Sequence, residues 1–196
     1  MAPGIAHAQS SLPSGVGVDY DGLNWAVLHG GTAAQPISWC ALTTHGEALI
    51  FRTGLYQGKL VHSLRSASPQ WHLKPSQGAS LLISHGPTQH LYYPVQAGDR
   101  ATVTATLTPS AEEQLSLYLR TGVVPQYIDP KGKKPPEMPA NVDVPITTPF
   151  EVTILTDNNL TSKPRTVDVN GLQAAWPAYE RCVGTLQQAI APKPTR

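Results

Sequence analysis

Between Ile37 and Leu107 the chain is a succession of short apolar or alternating runs: ISWCALT, EALIFRTG, GKLVHSLR, QWHLK, ASLLIS, HLYYPV and ATVTATL. Each is ended by residues that supply turn conformations, among them His45-Gly46, Gln57-Gly58, Ser68-Pro69, Gln77-Gly78, His85-Gly86-Pro87 and Ala97-Gly98-Asp99. Six or seven strands at this spacing predict a mainly antiparallel β-sandwich or small barrel. Because side chains alternate along a strand, Val103, Ala105 and Leu107 share one face, and Thr102, Thr104 and Thr106 the other. The same rule sends Tyr92 and Tyr93 to opposite sides, one into the core and one outward.

The pattern breaks at TPSAEEQLSLYLRTG, where Thr108 caps, Pro109 takes the first helical position, and Glu112 and Glu113 lie near the positive end. Arg120 in the last turn and Gly122 beyond it end one short mid-chain helix. Residues 124–149 carry seven prolines and three lysines and read as a long loop suited to interaction. Strands resume with FEVTILT and RTVDV. The chain then closes with a C-terminal helix over NGLQAAWPAYERCVGTLQQAI, capped by Asn170 and kinked or split by Pro177. This gives one β-rich domain over 37–190, a tail over 191–196, and an arm over 1–36. Within that arm NWAVLHGG can form one short strand.

A formal net charge of +1, from 14 basic and 13 acidic residues, leaves no long-range field to gather nucleic acid. The one basic cluster, Lys131, Lys133 and Lys134, falls in the Pro-rich loop. No run approaches the ~20 apolar residues that a membrane-spanning helix requires. Near the N-terminus AHA followed by Gln fits the small-residue pattern that ends a secretory signal, so residues 1–8 read as a signal remnant. Cys40 and Cys182 are the two cysteines, and an even count in an exported chain predicts a bridge between them. These readings place the protein in the bacterial periplasm or outside the cell.

Trp39-Cys40 in an early strand, the helical EEQLSLYLRTG and the late segment VDVNGLQAAW are together similar to the invasion-associated locus B family of small bacterial envelope proteins. The resemblance spans about residues 37 to 182. It implies a β-rich exported protein with no common enzymatic chemistry. The family pattern usually has more cysteines in its first half, so its disulfide pattern does not transfer, and the Pro-rich insertion is a further departure.

Catalytic motifs are absent from the sequence. All seven histidines lie in the first ninety residues, yet no spacing among them marks a metal site, and no cofactor is expected. Cys40 in SWCALT reads as half of a disulfide, not a nucleophile, and the adjacency of Ser84, His85 and Gly86 has no weight for a triad whose members meet in space. Asp19 and Asp21 read as turn formers, and Glu112 with Glu113 as a solvated first turn. The leading expectation is a non-enzymatic periplasmic interaction protein, an accessory subunit of an envelope complex. Tyr20, Leu23 and Trp25 of the arm and Lys131, Lys133 and Lys134 of the loop are its partner-binding residues. The alternatives are a β-domain binding a small molecule or glycan, and a hydrolase with a site of dispersed His, Asp and Ser. A deep polar pocket would favour either alternative, and an exposed apolar patch the first reading.

Overall fold

Period-two alternation gives each run one apolar face, which only a second layer can bury. In the computed structural model of the chain, which describes residues 14–86, 89–121, 149–156, 159–160 and 164–190, the strands form a single antiparallel sheet. β1 (Val16–Asp21), β2 (Trp25–Gly30), β3 (Trp39–Thr44), β4 (Ile50–Tyr56) and β5 (Lys59–Ala67) pair in chain order. β6 (Gly78–His85), β7 (Gln89–Ala97) and β8 (Thr102–Leu107) run back so that β8 lies against β5, and β9 (Phe150–Thr156) extends the sheet beyond β6. Two short strands, β10 (Asn159–Leu160) and β11 (Arg165–Val167), lie along the other side of β9.

The mainly antiparallel architecture with a mid-chain and a C-terminal helix is as expected, realised as one open sheet that curls. Gln96↔Thr104 and Ala97↔Val103 are the register pairs between β7 and β8, so the ladder is narrow there and the two halves of the sheet bend toward each other. Side chains, not a ladder, make the far closure. Trp25 Nε1 donates to the Asp168 carbonyl at 2.7 Å, and the Arg165 guanidinium donates to the carbonyls of Ala67 and Gly46. These bonds bring β11 beside the turn between β3 and β4.

α1 (Pro109–Thr121) begins as its sequence predicts: Ala111 N donates to Thr108 Oγ1 at 3.2 Å, with Glu112 in the first turn and Arg120 in the last. Its buried Leu115, Tyr118 and Leu119 turn to the sheet, where Tyr118 meets Phe150 with ring centroids 5.2 Å apart. α2 (Leu172–Ile190) crosses the inner face of β1 to β5, setting Trp176 and Tyr179 against Phe51. The cap expected for α2 is corrected, and of the two outcomes expected at Pro177 the split does not occur. Gly171, at φ +90°, provides the carbonyl that accepts from Ala175 N, while Asn170 N is held by Asp168 Oδ1. The helix is not split at Pro177, because that residue lies on the exposed side, where the carbonyl it leaves unpaired can face water.

Cys40 and Cys182 are bonded, with Cα atoms 6.0 Å apart, and both are buried between β3 and α2. Alternation holds where it was read: Val103, Ala105 and Leu107 are inside, Tyr93 is buried and Tyr92 is exposed. QWHLK, however, is not a strand. Its Trp71 and Leu73 are buried, but their N–H groups donate to the carbonyls of Ser68 and Arg100, local turn and loop acceptors that replace a ladder.

The arm reading also changes. From Val16 to Gly30 the chain is a hairpin of the main sheet, and β2 is an interior strand with Trp25 and Val27 fully buried. A segment that supplies an interior strand belongs to the core. Residues 1–13 and 122–148, with Lys131, Lys133 and Lys134, lie outside the described residues.

The disulfide closes a separation of 142 residues. By the chain-entropy relation, Cys40→Ser with Cys182→Ser should cost about 5 kcal/mol of unfolding free energy. Urea unfolding of this variant against the oxidised parent measures it; a loss under about 1 kcal/mol would show that α2 docks without the covalent pin.

Candidate functional site

The inner face of the sheet carries a polar row. Cross-strand register sets His29, Cys40, Thr53 and His62 side by side on β2 to β5, beneath α2. Thr53 Oγ1 lies 2.6 Å from Tyr179 Oη and 2.9 Å from His62 Nδ1. A chain in which the tyrosine donates to the threonine and the threonine to the imidazole uses each of these bonds once. Thr53 and Tyr179 are almost wholly buried. Burial pushes the Tyr179 phenol well above its ordinary pKa, the Thr53 bond opposes the shift, and the Glu112 carboxylate of α1 adds to it. A nucleophile must be reachable, and Thr53 is not, so this chain fastens α2 to the sheet.

Ser84 is flanked in register by His90 on β7 and Glu151 on β9, and its Oγ lies 3.0 Å from His90 Nδ1. That resembles a nucleophile and base. In a working triad the carboxylate orients the imidazole, whereas here the serine separates the two. The dispersed histidines do not gather: His29 pairs with Asp19 at 2.9 Å, His45 Nε2 lies 2.8 Å from the Gly22 carbonyl, and His62 binds Thr53. Among the described residues no three His, Cys, Asp or Glu side chains form a metal-ligand set.

A shallow cleft of about 180 Å³ lies where β11 meets the start of β2 and the turn after β3, lined by Asn24, Thr44, His45, Arg165, Thr166 and Asp168 among others. Two of the Arg165 donors are already given to the Ala67 and Gly46 carbonyls. The cleft is a by-product of sheet closure, too small to enclose a drug-sized ligand.

The outer face of β1 to β5 is different. The helices contact the opposite side, and register places Val18, Leu28, Ala41, Arg52 and Ser63 in one row, with Val16, Gly30, Trp39, Gly54 and Val61 in the next. Val18, Tyr56 and Val61 are exposed. The Trp39 indole lies flat across Gly30, where a Cβ would come within 2.4 Å of the ring, so only glycine fits beneath it. The Arg52 guanidinium sits over the same indole, 4.6 Å from its centroid, and burial lowers the pKa of that arginine.

Of the residues expected to bind a partner, the hairpin buries Trp25, leaves Tyr20 half-buried against the core, and exposes Leu23, at 73%, in the turn between β1 and β2. Trp25 is thus a correction: its indole is spent inside, on the Asp168 carbonyl. The sequence reading missed Arg52, and its pairing with Trp39 depends on the β3–β4 register. No protein family, curated protein or solved structure matches this chain.

Two outcomes follow from the buried hydroxyls. Thr53→Val strands the Tyr179 hydroxyl and should cost about 1–3 kcal/mol, while adding Tyr179→Phe should restore part of that; additive losses in denaturant unfolding would show that the two are not coupled. Tyr93, Tyr118 and Tyr179 are all held above the ordinary 10.0, chiefly by burial. Above pH 10 the unfolded chain therefore binds fewer phenolic protons than the folded one, and stability falls as pH rises. Absorbance titration near 295 nm should show these three phenols ionising only with unfolding, and early, reversible ionisation of all seven tyrosines would contradict their burial.

Proposed function

We propose that this protein is a non-enzymatic interaction module of an oxidising compartment, an accessory subunit of a bacterial envelope complex. One observation carries the reading: the outer face of β1 to β5 presents Val18, Leu28, Trp39, Tyr56 and Val61 on a broad sheet surface that neither helix covers. Of these, Val18, Tyr56 and Val61 are exposed, and exposed apolar surface left uncovered by the fold is suited to contact with another macromolecule. The Cys40–Cys182 bond supports an oxidising location. No helix among the described residues is long and apolar enough to cross a membrane.

A photo-reactive residue placed at Val61 in the full chain, expressed in its native host, tests the reading. Irradiation should give one recurrent protein adduct, identified by mass spectrometry, that a probe at exposed Tyr92 on β7 does not give. Equal labelling from both positions, or no adduct from Val61, would remove the proposal.

A further inference from the structure

The outer face carries a charge pattern as well as apolar surface. Going along β4 and β5, the register sets Ile50 beside Arg65, Arg52 beside Ser63, Gly54 beside Val61 and Tyr56 beside Lys59. Of the carboxylates at its margin, Glu47 lies 3.5 Å from Arg65, and Asp21 lies 3.4 Å from His45, an imidazole that forms an ion pair with it only when protonated. Next along, β8 offers Thr104 and Thr106, which are uncharged. Arg52 and Lys59 have no carboxylate within ion-pair distance among the described residues.

Arg52 is held in place. Its guanidinium lies over the Trp39 indole, 4.6 Å from the ring centroid, and that indole is itself pressed against Gly30. An arginine ordered in advance loses less freedom when it binds a carboxylate through two parallel hydrogen bonds. From this geometry we infer that the outer face of β3 to β5 docks an acidic polypeptide, one carboxylate seated on Arg52, a second near Lys59, and apolar side chains between them on Val61 and Tyr56. The inference rests on the interaction reading above and names its partner chemistry. A protein surface fits better than a lipid one, because Trp39 lies flat under Arg52 and does not project to enter a headgroup layer.

Titration of the isotope-labelled full chain with a short oligoglutamate peptide, followed by amide chemical shifts, tests this. Shifts should concentrate on β3 to β5 and shrink as salt is added. Arg52→Gln should weaken binding about fivefold, and Arg52→Lys, which keeps the charge but loses the fork, should recover only part of that. Trp39→Leu, read at the same residues, should also weaken binding although no charge is removed; the unchanged amide pattern of the free variant establishes that it is folded. Undiminished binding by Arg52→Gln, shifts centred elsewhere, or binding to phosphatidylglycerol vesicles in place of the peptide would each overturn the inference. An adduct formed from Val61 but unaffected by Arg52→Gln would leave the interaction reading intact and sink only the acidic partner.

Discussion

Cys40 and Cys182 join the third strand of the sheet to the C-terminal helix, and most of the molecule is arranged around that pin. The helix shields the inner face of five strands, placing Trp176 and Tyr179 on Phe51 and leaving the outer face to the surroundings. Beside the bond, Tyr179 can donate to Thr53 and Thr53 to His62, so the interior gains a polar contact that leaves neither hydroxyl donor orphaned. The curl of the sheet depends on a second fastening, made by Trp25 and Arg165 through backbone carbonyls. The hydrogen bonds of Trp25 and Arg165 thus link the two halves of the sheet that meet at the narrow β7–β8 pairing.

Local rules were enough wherever a feature is local. Thr108, Pro109 and Glu112 announce the first helix, and the alternation of 102–107 tells core from surface. Tyr92 and Tyr93 part as a strand requires. The failures share a cause, which is partners distant in sequence. Trp25 looks like an anchor on a thin, Gly-rich arm until Asp168, 143 residues away, accepts its indole proton. Trp71 and Leu73 alternate like a strand, but their N–H groups find acceptors in a turn and a loop.

The candidate surface was legible only in part. Trp39 stands out in the sequence as an aromatic in a strand, but its orientation depends on glycines at positions 30 and 54 of the neighbouring strands, and its charge partner on Arg52 falling two rungs from Gly54. Glycines in strands signal such close approaches, and Gly30 was available as that signal. The buried Thr53 was beyond reach, since its role is set by Tyr179, 126 residues later.

The inner face is fastened by α2, and on the proposed reading a partner covers the outer face. Hydroxyl-radical footprinting of the protein in native extract against the purified chain reads that division directly. Trp39 and Tyr56 should be oxidised readily in the purified protein and protected in the extract, with Tyr92 reactive in both. Equal reactivity of Trp39 and Tyr56 in the two samples would contradict an outer face that functions by being covered.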